Sequence, residues 1–207
     1  MKYSVIIAYY KGCSEDENKL ITLLNTLVYQ EYDDFEVLVV HDGVIPTPLL
    51  FKDYKSLNVR FLCTDNHYNK FGHPSRSLGI KESKGDFLLI TNHDNTYNTN
   101  MFKHLDTIIK PDKIGMYILN VRMVGMRYAD GKLGYDEPRD AKTSIILTGE
   151  PVEIGNIDIM QVVIRKDVWN SVGGWNNNAA DSDGVLIKKM SKNYKLLQDS
   201  FIMGEHN

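Results

Sequence analysis

The sequence lacks the features that mark disulfide-rich, zinc-binding, secreted and membrane-spanning proteins. Its two cysteines, Cys13 and Cys63, have neither a C-x-x-C pairing nor a zinc-ligand spacing, so we expect reduced thiols without a structural role. No apolar run approaches the roughly 20 residues of a transmembrane helix. The apolar part of the N-terminus is too short for a signal peptide and has no small-residue cleavage site. We therefore expect a cytoplasmic protein, or one at the cytosolic face of a membrane.

Two common phosphate-binding motifs are also missing. Neither G-x-x-x-x-G-K-[ST] nor G-x-G-x-x-G follows the first apolar segment, which excludes a P-loop and a dinucleotide-binding fold. The net charge of -3 provides no broad attraction to nucleic acid or to an anionic membrane. We therefore expect no nucleic-acid partner.

What the sequence does contain is typical of a globular α/β protein. Its 207 residues, with 43% hydrophobic content, suffice for one domain with a sizeable core. Short apolar segments alternate with amphipathic ones up to about residue 120, which predicts βαβ units and a mainly parallel sheet flanked by helices. After that point, a hairpin-like turn at Ala129–Lys132 indicates a small antiparallel addition in the C-terminal half. We expect a single domain over residues 1–207.

Hydrophobic spacing and turn residues give approximate bounds for each element. Ser14 and Glu17 fit a capping box at the start of the first helix. The final residues, FIMGEHN, do not have the composition of a solvated tail, so we expect that further domains of a longer protein can follow. The predicted strands are Tyr3–Ala8, Phe35–Val40, Val59–Cys63, Phe87–Thr91, Ile114–Asn120, Gln161–Arg165 and Tyr194–Leu197. The predicted helices are Ser14–Val28, Pro74–Lys84, Thr99–Lys110, Asp167–Val172 and Ser182–Asn193.

Three predicted strands are each followed by an acidic residue: Asp42, Asp65 and Asp94. Since parallel strands bring their carboxyl ends to one edge of the sheet, these side chains should face a common crevice. Together with Arg76 they would form a nucleotide pocket, in which the carboxylates bind base, ribose and metal and the arginine neutralises phosphate. The alternative for any one of these carboxylates is a helix or turn cap.

The segment GDFLLITNHDN, residues 85–95, carries the strongest signal. Its apolar run predicts a strand buried on both faces. The polar cluster after it, which includes Asn92 and Asp94, is suited to holding a divalent cation through oxygen ligands. The alternative is an Asx-rich turn before the next helix.

In the order of these pieces the chain resembles the GT-A-fold, family-2-like glycosyltransferases, which move a sugar from a nucleotide donor to an acceptor hydroxyl. YSVIIAYYK is similar to the family's opening strand and VVVHDG to its strand that ends in an acidic residue and glycine. PSRSLGIKESKGDFLLITNHDN is similar to its arginine-containing helix and D-x-D strand. The stretch from VVIRKDVW to the terminal histidine resembles the family's C-terminal half. The resemblance implies a GT-A (Rossmann-like) α/β fold, with a nucleotide-binding half over about residues 1–120 and an acceptor-binding half over about 121–207.

The resemblance also implies roles for individual residues. Asp42 would hold the uracil or another base, flanked by Tyr9 and Tyr10, and Asp94 would bind Mn²⁺ or Mg²⁺ together with the diphosphate. His206 would complete the metal shell; judged alone, a terminal histidine is as often exposed to solvent. The nucleotide-binding residues would be Ala8, Tyr9, Tyr10, Asp42, Asp65, Arg76 and Asn92.

For catalysis, the resemblance places the general base at Asp181, and Asp183 close behind it is the reserve. Asp158 is the reserve candidate for a carboxylate nucleophile in a retaining reaction. A carboxylate that takes the acceptor proton gives inversion, which we favour, whereas retention requires a different arrangement. Gly174 and Trp175 would form part of the acceptor wall, although core packing is the usual role of tryptophan. The chain departs from the family at Asn92, which replaces the first D-x-D aspartate, and at Ala180, which replaces one residue of the acidic pair.

The expected function is therefore a metal-dependent, hexosyltransferase-type enzyme of glycan or polysaccharide biosynthesis, with a nucleotide-sugar donor, UDP-sugar favoured, and a saccharide acceptor. One alternative is a nucleotidyltransferase of the nucleotide-sugar pyrophosphorylase type, which usually needs a glycine-rich loop after the first strand. Another is a non-catalytic nucleotide- or sugar-binding module, which Asn92 and Ala180 make conceivable. The remaining histidines share no metal-ligand spacing and are expected at the surface or behind the site: His41, His67, His73, His93 and His104.

Overall fold

The structure, a computed structural model, describes residues 1–44, 54, 57–110, 114–129, 132–135, 143–175 and 182–207. None of the helices in these ranges has both the length and the apolar character that crossing a bilayer requires. The fold is mixed α/β, with a mainly parallel sheet and helices on both of its faces.

The first half of the chain alternates strands with helices, as predicted. Its strands are β1 (Tyr3–Tyr9), β2 (Phe35–His41), β3 (Val59–Cys63), β4 (Phe87–Asn92) and the short β5 (Thr96–Tyr97). Its helices are α1 (Ser14–Val28), α2 (His73–Glu82) and α3 (Met101–Ile108).

The second half contains most of the antiparallel pairing. Its strands are β6 (Ile114–Val124), β7 (Met126–Ala129), β8 (Lys132–Tyr135), β9 (Ser144–Leu147), β10 (Val162–Arg165) and β11 (Lys195–His206). A 3-10 turn (Ile159–Gln161) precedes β10, and the helices are α4 (Lys166–Val172) and α5 (Ser182–Asn193). β7 and β8 pair antiparallel across the predicted hairpin turn.

Nine of the described strands form one sheet in the order β3-β2-β1-β4-β10-β6-β11-β5, with β9 paired to β6. The strands β3, β2, β1 and β4 are parallel to one another. β10 enters antiparallel between β4 and β6, and β11 runs parallel to β6. This arrangement confirms the predicted fold class and its antiparallel addition in the C-terminal half.

The central strand β1 shows how the two cores form. All seven of its residues are buried, and successive side chains point to opposite faces. Val5 and Ile7 lie in the cluster beneath α1 and α3, whereas Ile6 lies in the cluster beneath α2, α4 and α5. A strand buried on both faces requires a continuous apolar run, which YSVIIAY supplies.

Three details differ from the expectations. The first helix begins at Ser14, but Asp16 rather than Glu17 accepts the hydrogen bonds of the cap, from the N–H groups of Gly12 and Cys13 at 2.9 Å each. The short strand β5 was not predicted. The last strand continues nine residues beyond Leu197, to His206, in the register that β6 and β5 impose, and it therefore carries His206 back to the sheet.

Candidate active site

A cleft of about 590 Å³ lies at the carboxyl ends of β1, β2 and β4. This is the edge at which open α/β sheets bind ligands. Asp42, Asp94 and His206, which come from three distant parts of the sequence, all contribute to its wall. The lining residues are Ala8, Tyr9, Tyr10, Asp42, His67, Asn69, Phe71, Gly72, His73, Ser75, Arg76, Asn92, His93, Asp94, Asp158, Asp183, His206 and Asn207.

The end of β11 reaches this cleft because it pairs with β5, the strand that directly follows Asp94. Gly204 pairs with Tyr97, and a Cβ atom at Gly204 would lie 2.0 Å from the Thr96 carbonyl oxygen, so only glycine permits this approach. The side chain of Asn207 then donates to the Asp94 carbonyl oxygen at 3.0 Å. The fold thus fastens the last residues beside the predicted metal ligand.

Two polar atoms of the predicted metal pair lack partners. The Asp94 Oδ1 and His206 Nδ1 atoms are buried and make no hydrogen bond to any described residue. The other nitrogen of His206, Nε2, lies 3.6 Å from Asp158 Oδ2. No group of three or more His, Cys, Asp or Glu side chains converges to a metal-binding geometry within the described ranges. The predicted pair therefore offers one carboxylate oxygen and one imidazole nitrogen, a donor set that suits a cation whose other ligands come from a substrate.

Arg76 connects the two sides of the cleft. The residue is 3% exposed, and its guanidinium donates from Nη2 to Asn92 Oδ1 at 2.7 Å and from Nη1 to Asp183 Oδ2 at 3.3 Å. The other oxygen of Asp183 accepts from Trp175 Nε1 at 2.7 Å. The Nε atom of Arg76 is buried and makes no hydrogen bond to the described residues. A continuous chain of contacts thus runs from the end of β4 to the start of α5.

Asp42 is buried at the other end of the cleft and accepts four contacts. Its Oδ1 accepts from Tyr68 N at 3.0 Å and from Thr64 Oγ1 at 3.4 Å. Its Oδ2 accepts from Asn69 N at 2.9 Å and lies 2.9 Å from His67 Nδ1. Burial alone would raise the pKa of Asp42, but the two backbone N–H groups, His67 and Thr64 hold it below its ordinary value. The carboxylate is therefore ionised at neutral pH.

The two predicted base-flanking tyrosines differ in their surroundings. Tyr10 is 44% exposed, and its ring stacks on His67 with centroids 4.3 Å apart. Tyr9 is buried edge-on between His41 and His93. Burial, with smaller effects from nearby acidic residues, raises the pKa of Tyr9 to about 12. Only Tyr10 therefore presents part of a ring to solvent.

The other predicted residues are distributed as follows. Ala8 and Asn92 line the cleft, and so do the reserve catalytic residues Asp183 and Asp158. Asp65 is exposed after β3, accepts a hydrogen bond from Tyr68 Oη at 2.8 Å, and is not part of the cleft wall.

Gly174 and Trp175 lie behind the cleft rather than on its wall. The Trp175 ring packs against Trp169 and His73, with centroids 4.6 and 4.8 Å away. Its indole N–H donates to Asp183, and the ring also lies 5.9 Å from the Arg76 guanidinium carbon. Trp175 therefore supports three residues of the cleft wall, Asp183, His73 and Arg76, without being part of the wall itself. Asp181 and Ala180 lie outside the described residues.

Three histidines that the sequence analysis placed at the surface or behind the site line the cleft: His67, His73 and His93. A search for metal-ligand spacing could not find them, because they contribute singly from different loops and helix ends. The usable signal was their position, since each lies within a few residues of a predicted acidic strand end or of the arginine helix.

The family model of Glycosyl transferase family 2 matches residues 4–171, well over half of the chain. Among curated proteins, the poly(ribitol-phosphate) beta-N-acetylglucosaminyltransferase TarS of Staphylococcus aureus is 28% identical over 130 residues. That match covers 61% of this chain and 22% of TarS, so the chain spans only about a fifth of this curated relative.

Solved structures show the same fold. S. aureus TarS 1-349 superposes with a TM-score of 0.72 at 20% identity, over 100% of this chain and 60% of that one. Its complex with UDP-GlcNAc gives a TM-score of 0.72 at 20% identity over 58% of that chain. The mannosyltransferase PcManGT from Pyrobaculum calidifontis, in complex with GDP-Man and Mn²⁺, gives 0.69 at 12% identity, over 99% of this chain and 56% of that one. Together with the match over residues 4–171, the shared GT-A architecture shows that this chain belongs to glycosyl transferase family 2.

Proposed function

We propose that this chain is a metal-dependent glycosyltransferase that moves a sugar from a nucleotide-diphosphate donor to a hydroxyl of a saccharide acceptor. The observation that carries the proposal is the pair of buried, unpartnered atoms Asp94 Oδ1 and His206 Nδ1 in one cleft with Arg76. A buried polar atom without a partner is destabilising, and such atoms are found where a ligand supplies the missing partner. Residues 1–120 would bind the nucleotide, and residues 121–207 the acceptor, within one domain.

The donor set fits a divalent cation. Asp94 and His206 would hold Mn²⁺ or Mg²⁺, and the mannosyltransferase with the same fold is named as a complex with Mn²⁺. Such a cation, bound together with the diphosphate, would stabilise the negative charge that develops on the departing nucleotide. Arg76, with a buried and unpartnered Nε, would add positive charge on the same side.

A UDP-sugar is the favoured donor. The relative TarS is named a beta-N-acetylglucosaminyltransferase, and its structures include complexes with UDP and with UDP-GlcNAc. UDP-GlcNAc is therefore the first donor to test. The base would lie at the end of the cleft formed by Tyr10 and Asp42, and the diphosphate at the end formed by Asp94 and Arg76.

For the acceptor proton, Asp181 remains the first candidate, and inversion the favoured outcome. Both oxygens of Asp183 already accept hydrogen bonds, from Trp175 and Arg76, which supports a positioning role for it. Asp158 caps the 3-10 turn through Met160 N at 2.8 Å and faces His206 with its other oxygen. A general base needs a free oxygen directed at the acceptor hydroxyl.

The test is the melting temperature of the protein with UDP and MnCl₂, each alone and together. At about 100 times its dissociation constant a ligand adds about 2.7 kcal/mol of stability, which is roughly 5–10 °C for a chain of this length. We expect this shift only with both ligands, and we expect Asp94→Asn to abolish it. Asp65→Asn, which changes an exposed carboxylate outside the cleft, is the matched control and should keep the shift.

The proposal is wrong if no nucleoside diphosphate shifts the melting temperature in the presence of metal. Slow, metal-dependent hydrolysis of UDP-GlcNAc without acceptor separates an enzyme from a binding module. Hydrolysis that is lost in Asp94→Asn supports catalysis, whereas binding without any hydrolysis or transfer favours the binding module.

A further inference from the structure

His67 occupies a position in the cleft that its own sequence neighbourhood does not explain. It follows β3 in a loop, and its side chain is 45% exposed. Its Nδ1 lies 2.9 Å from Asp42 Oδ2, and its ring stacks on Tyr10 at an interplanar angle of 20° with centroids 4.3 Å apart. This is a close electrostatic contact and not a directed hydrogen bond, and it places the Nδ1 edge of the imidazole against the carboxylate.

These two contacts are the ones a nucleobase would make at this end of the cleft. A base that stacks on Tyr10 and donates a ring N–H to Asp42 is a flat ring with a donor on its edge, and the imidazole of His67 has both features. The gap between the rings cannot admit a third one, because two van der Waals separations of about 3.5 Å each would be needed. The base and the imidazole therefore compete for the same face of Tyr10 and the same oxygen of Asp42.

A nucleobase cannot displace the other contacts of Asp42 in this way. Two of them come from the backbone N–H groups of Tyr68 and Asn69. A third, weaker contact at 3.4 Å comes from Thr64 Oγ1, whose single proton also points to the Asn66 carbonyl oxygen at 2.8 Å. Releasing them would require the whole loop to rearrange. His67 is half exposed and can leave by rotation of its own side chain, so its contact is the replaceable one.

We propose that His67 is a built-in competitor of the nucleobase, which holds the base subsite of the cleft closed until a base with a ring N–H donor displaces it. This inference rests on the proposed function, because it assigns the Tyr10–Asp42 end to the base. The inference also predicts which bases bind. Uracil presents an N3–H to Asp42, whereas cytosine presents a lone pair at N3 that the carboxylate repels.

The test compares His67→Ala with the wild type by calorimetric titration of UDP and of CDP in Mn²⁺ buffer. Removing the competitor should tighten UDP binding about tenfold, because the base no longer has to displace the imidazole before its N3–H can donate a hydrogen bond to the charged Asp42. CDP should gain less, since it gains only the freed ring face of Tyr10. Inorganic pyrophosphate with Mn²⁺, which has no base, should bind both proteins equally.

The chain supplies a matched control in His104. This histidine also pairs with an aspartate, Asp199 at 2.8 Å, and also stacks on an aromatic ring, Phe201 at 4.2 Å, but it lies outside the cleft. His104→Ala should leave UDP affinity unchanged. A second variant, His67→Phe, keeps a ring on Tyr10 without an N–H, so its gain for UDP should be smaller than that of alanine.

The outcomes are distinguishable. UDP affinity that is equal in the wild type and His67→Ala, or weaker in both His67 variants, overturns the inference and leaves the proposed function standing. Failure of UDP and pyrophosphate to bind any of the proteins in Mn²⁺ overturns the proposed function itself.

Discussion

The amino and carboxyl edges of the sheet each hold a carboxylate with a buried oxygen, and the two carboxylates differ in the hydrogen bonds that this oxygen accepts. At the amino edge, Glu36 near the start of β2 is 1% exposed and accepts hydrogen bonds from Ser4 Oγ, Lys84 N and Arg60 Nη2. At the carboxyl edge, the Oδ1 atom of Asp94 is buried with no partner among the described residues. The first arrangement joins three strands and a loop, so it stabilises the fold. The second leaves a negative charge incompletely compensated, which indicates binding rather than folding.

The largest expected effect is on transfer by Asp94→Asn. If Asp94 holds the cation, its loss should lower the rate of UDP-GlcNAc turnover at least about 1,000-fold, equivalent to about 4 kcal/mol of transition-state stabilisation. The melting temperature without ligand should stay the same or rise slightly, since no native hydrogen bond to Oδ1 is lost. Initial rates and thermal melts of the same preparations check the predicted loss of turnover and the unchanged stability. A large drop in ligand-free stability would contradict the contrast between the two edges.

At the amino edge we expect the converse effect, a loss of stability without a loss of ligand binding. Glu36→Gln removes the charge that pairs with Arg60 at 2.8 Å and should lower the free energy of unfolding by about 2–3 kcal/mol, somewhat less than a fully buried pair because Arg60 is partly exposed. Urea denaturation measures this change. The dissociation constant of Mn²⁺–UDP should be unaffected, and an altered value would show that the two edges are coupled.

Acid should destabilise the fold mainly by protonating carboxylates that, like Glu36, accept several hydrogen bonds. Burial raises the pKa of Glu36, but hydrogen bonds from Lys84 N, Ser4 and Arg60 hold it below the ordinary value of 4.5. A carboxylate whose pKa is lower in the folded than in the unfolded state stabilises the fold at pH values above its unfolded-state pKa. For Glu36 that stabilisation is lost as the pH falls below about 4.5.

Urea titrations between about pH 3 and pH 6 should therefore show a less steep acid limb for Glu36→Gln than for the wild type. Part of the slope remains in the variant, since the pKa values of Asp16, Asp42 and Asp106 are also lowered. An identical slope in both proteins would mean that Glu36 does not titrate differently in the folded state.

The smallest expected effect comes from Asn92→Asp, which restores the first D-x-D carboxylate. The new charge would accept from Arg76 Nη2, now 2.7 Å from Asn92 Oδ1, in a charge-assisted hydrogen bond that should add about 1 kcal/mol of stability. Mn²⁺ affinity in the presence of UDP should rise about threefold, less than a free carboxylate would give, because Arg76 neutralises the added charge. Calorimetry with Asp65→Asn as the control for a remote charge change checks the direction. Unchanged or weaker Mn²⁺ binding would contradict a position of residue 92 close to the cation.

Elements in both halves of the fold were predictable where each one carries its own local signal. β3 was predicted with its observed bounds, and α5 likewise, since apolar runs and helical spacing are local properties. The last strand was predicted to end at Leu197, but it continues to His206. Asp199, Ser200 and Gly204 are poor strand formers, and pairing with β6 and β5 overrides that preference.

The candidate site was predictable only in part. Asp42 and Asp65 carry the same signal, an acidic residue after a buried strand, yet Asp42 is buried in the cleft and Asp65 is exposed. The reason is the order of the strands: β3 lies at the outer edge of the sheet, two strands away from β1. For His67 the sequence offered only its position two residues after Asp65, since its role depends on the distance to Tyr10 and Asp42.

The sequence alone determined the alternation of strands and helices, the acidic residues at strand ends and the resemblance to a family, because these depend on neighbours a few positions apart. The tertiary structure decided which polar atoms have partners. Asn207 reaches Asp94 across 113 positions, and Arg76 reaches Asp183 across 107. Whether a carboxylate stabilises the fold or remains available to bind a ligand depends on such distant neighbours, and only the folded chain brings them together.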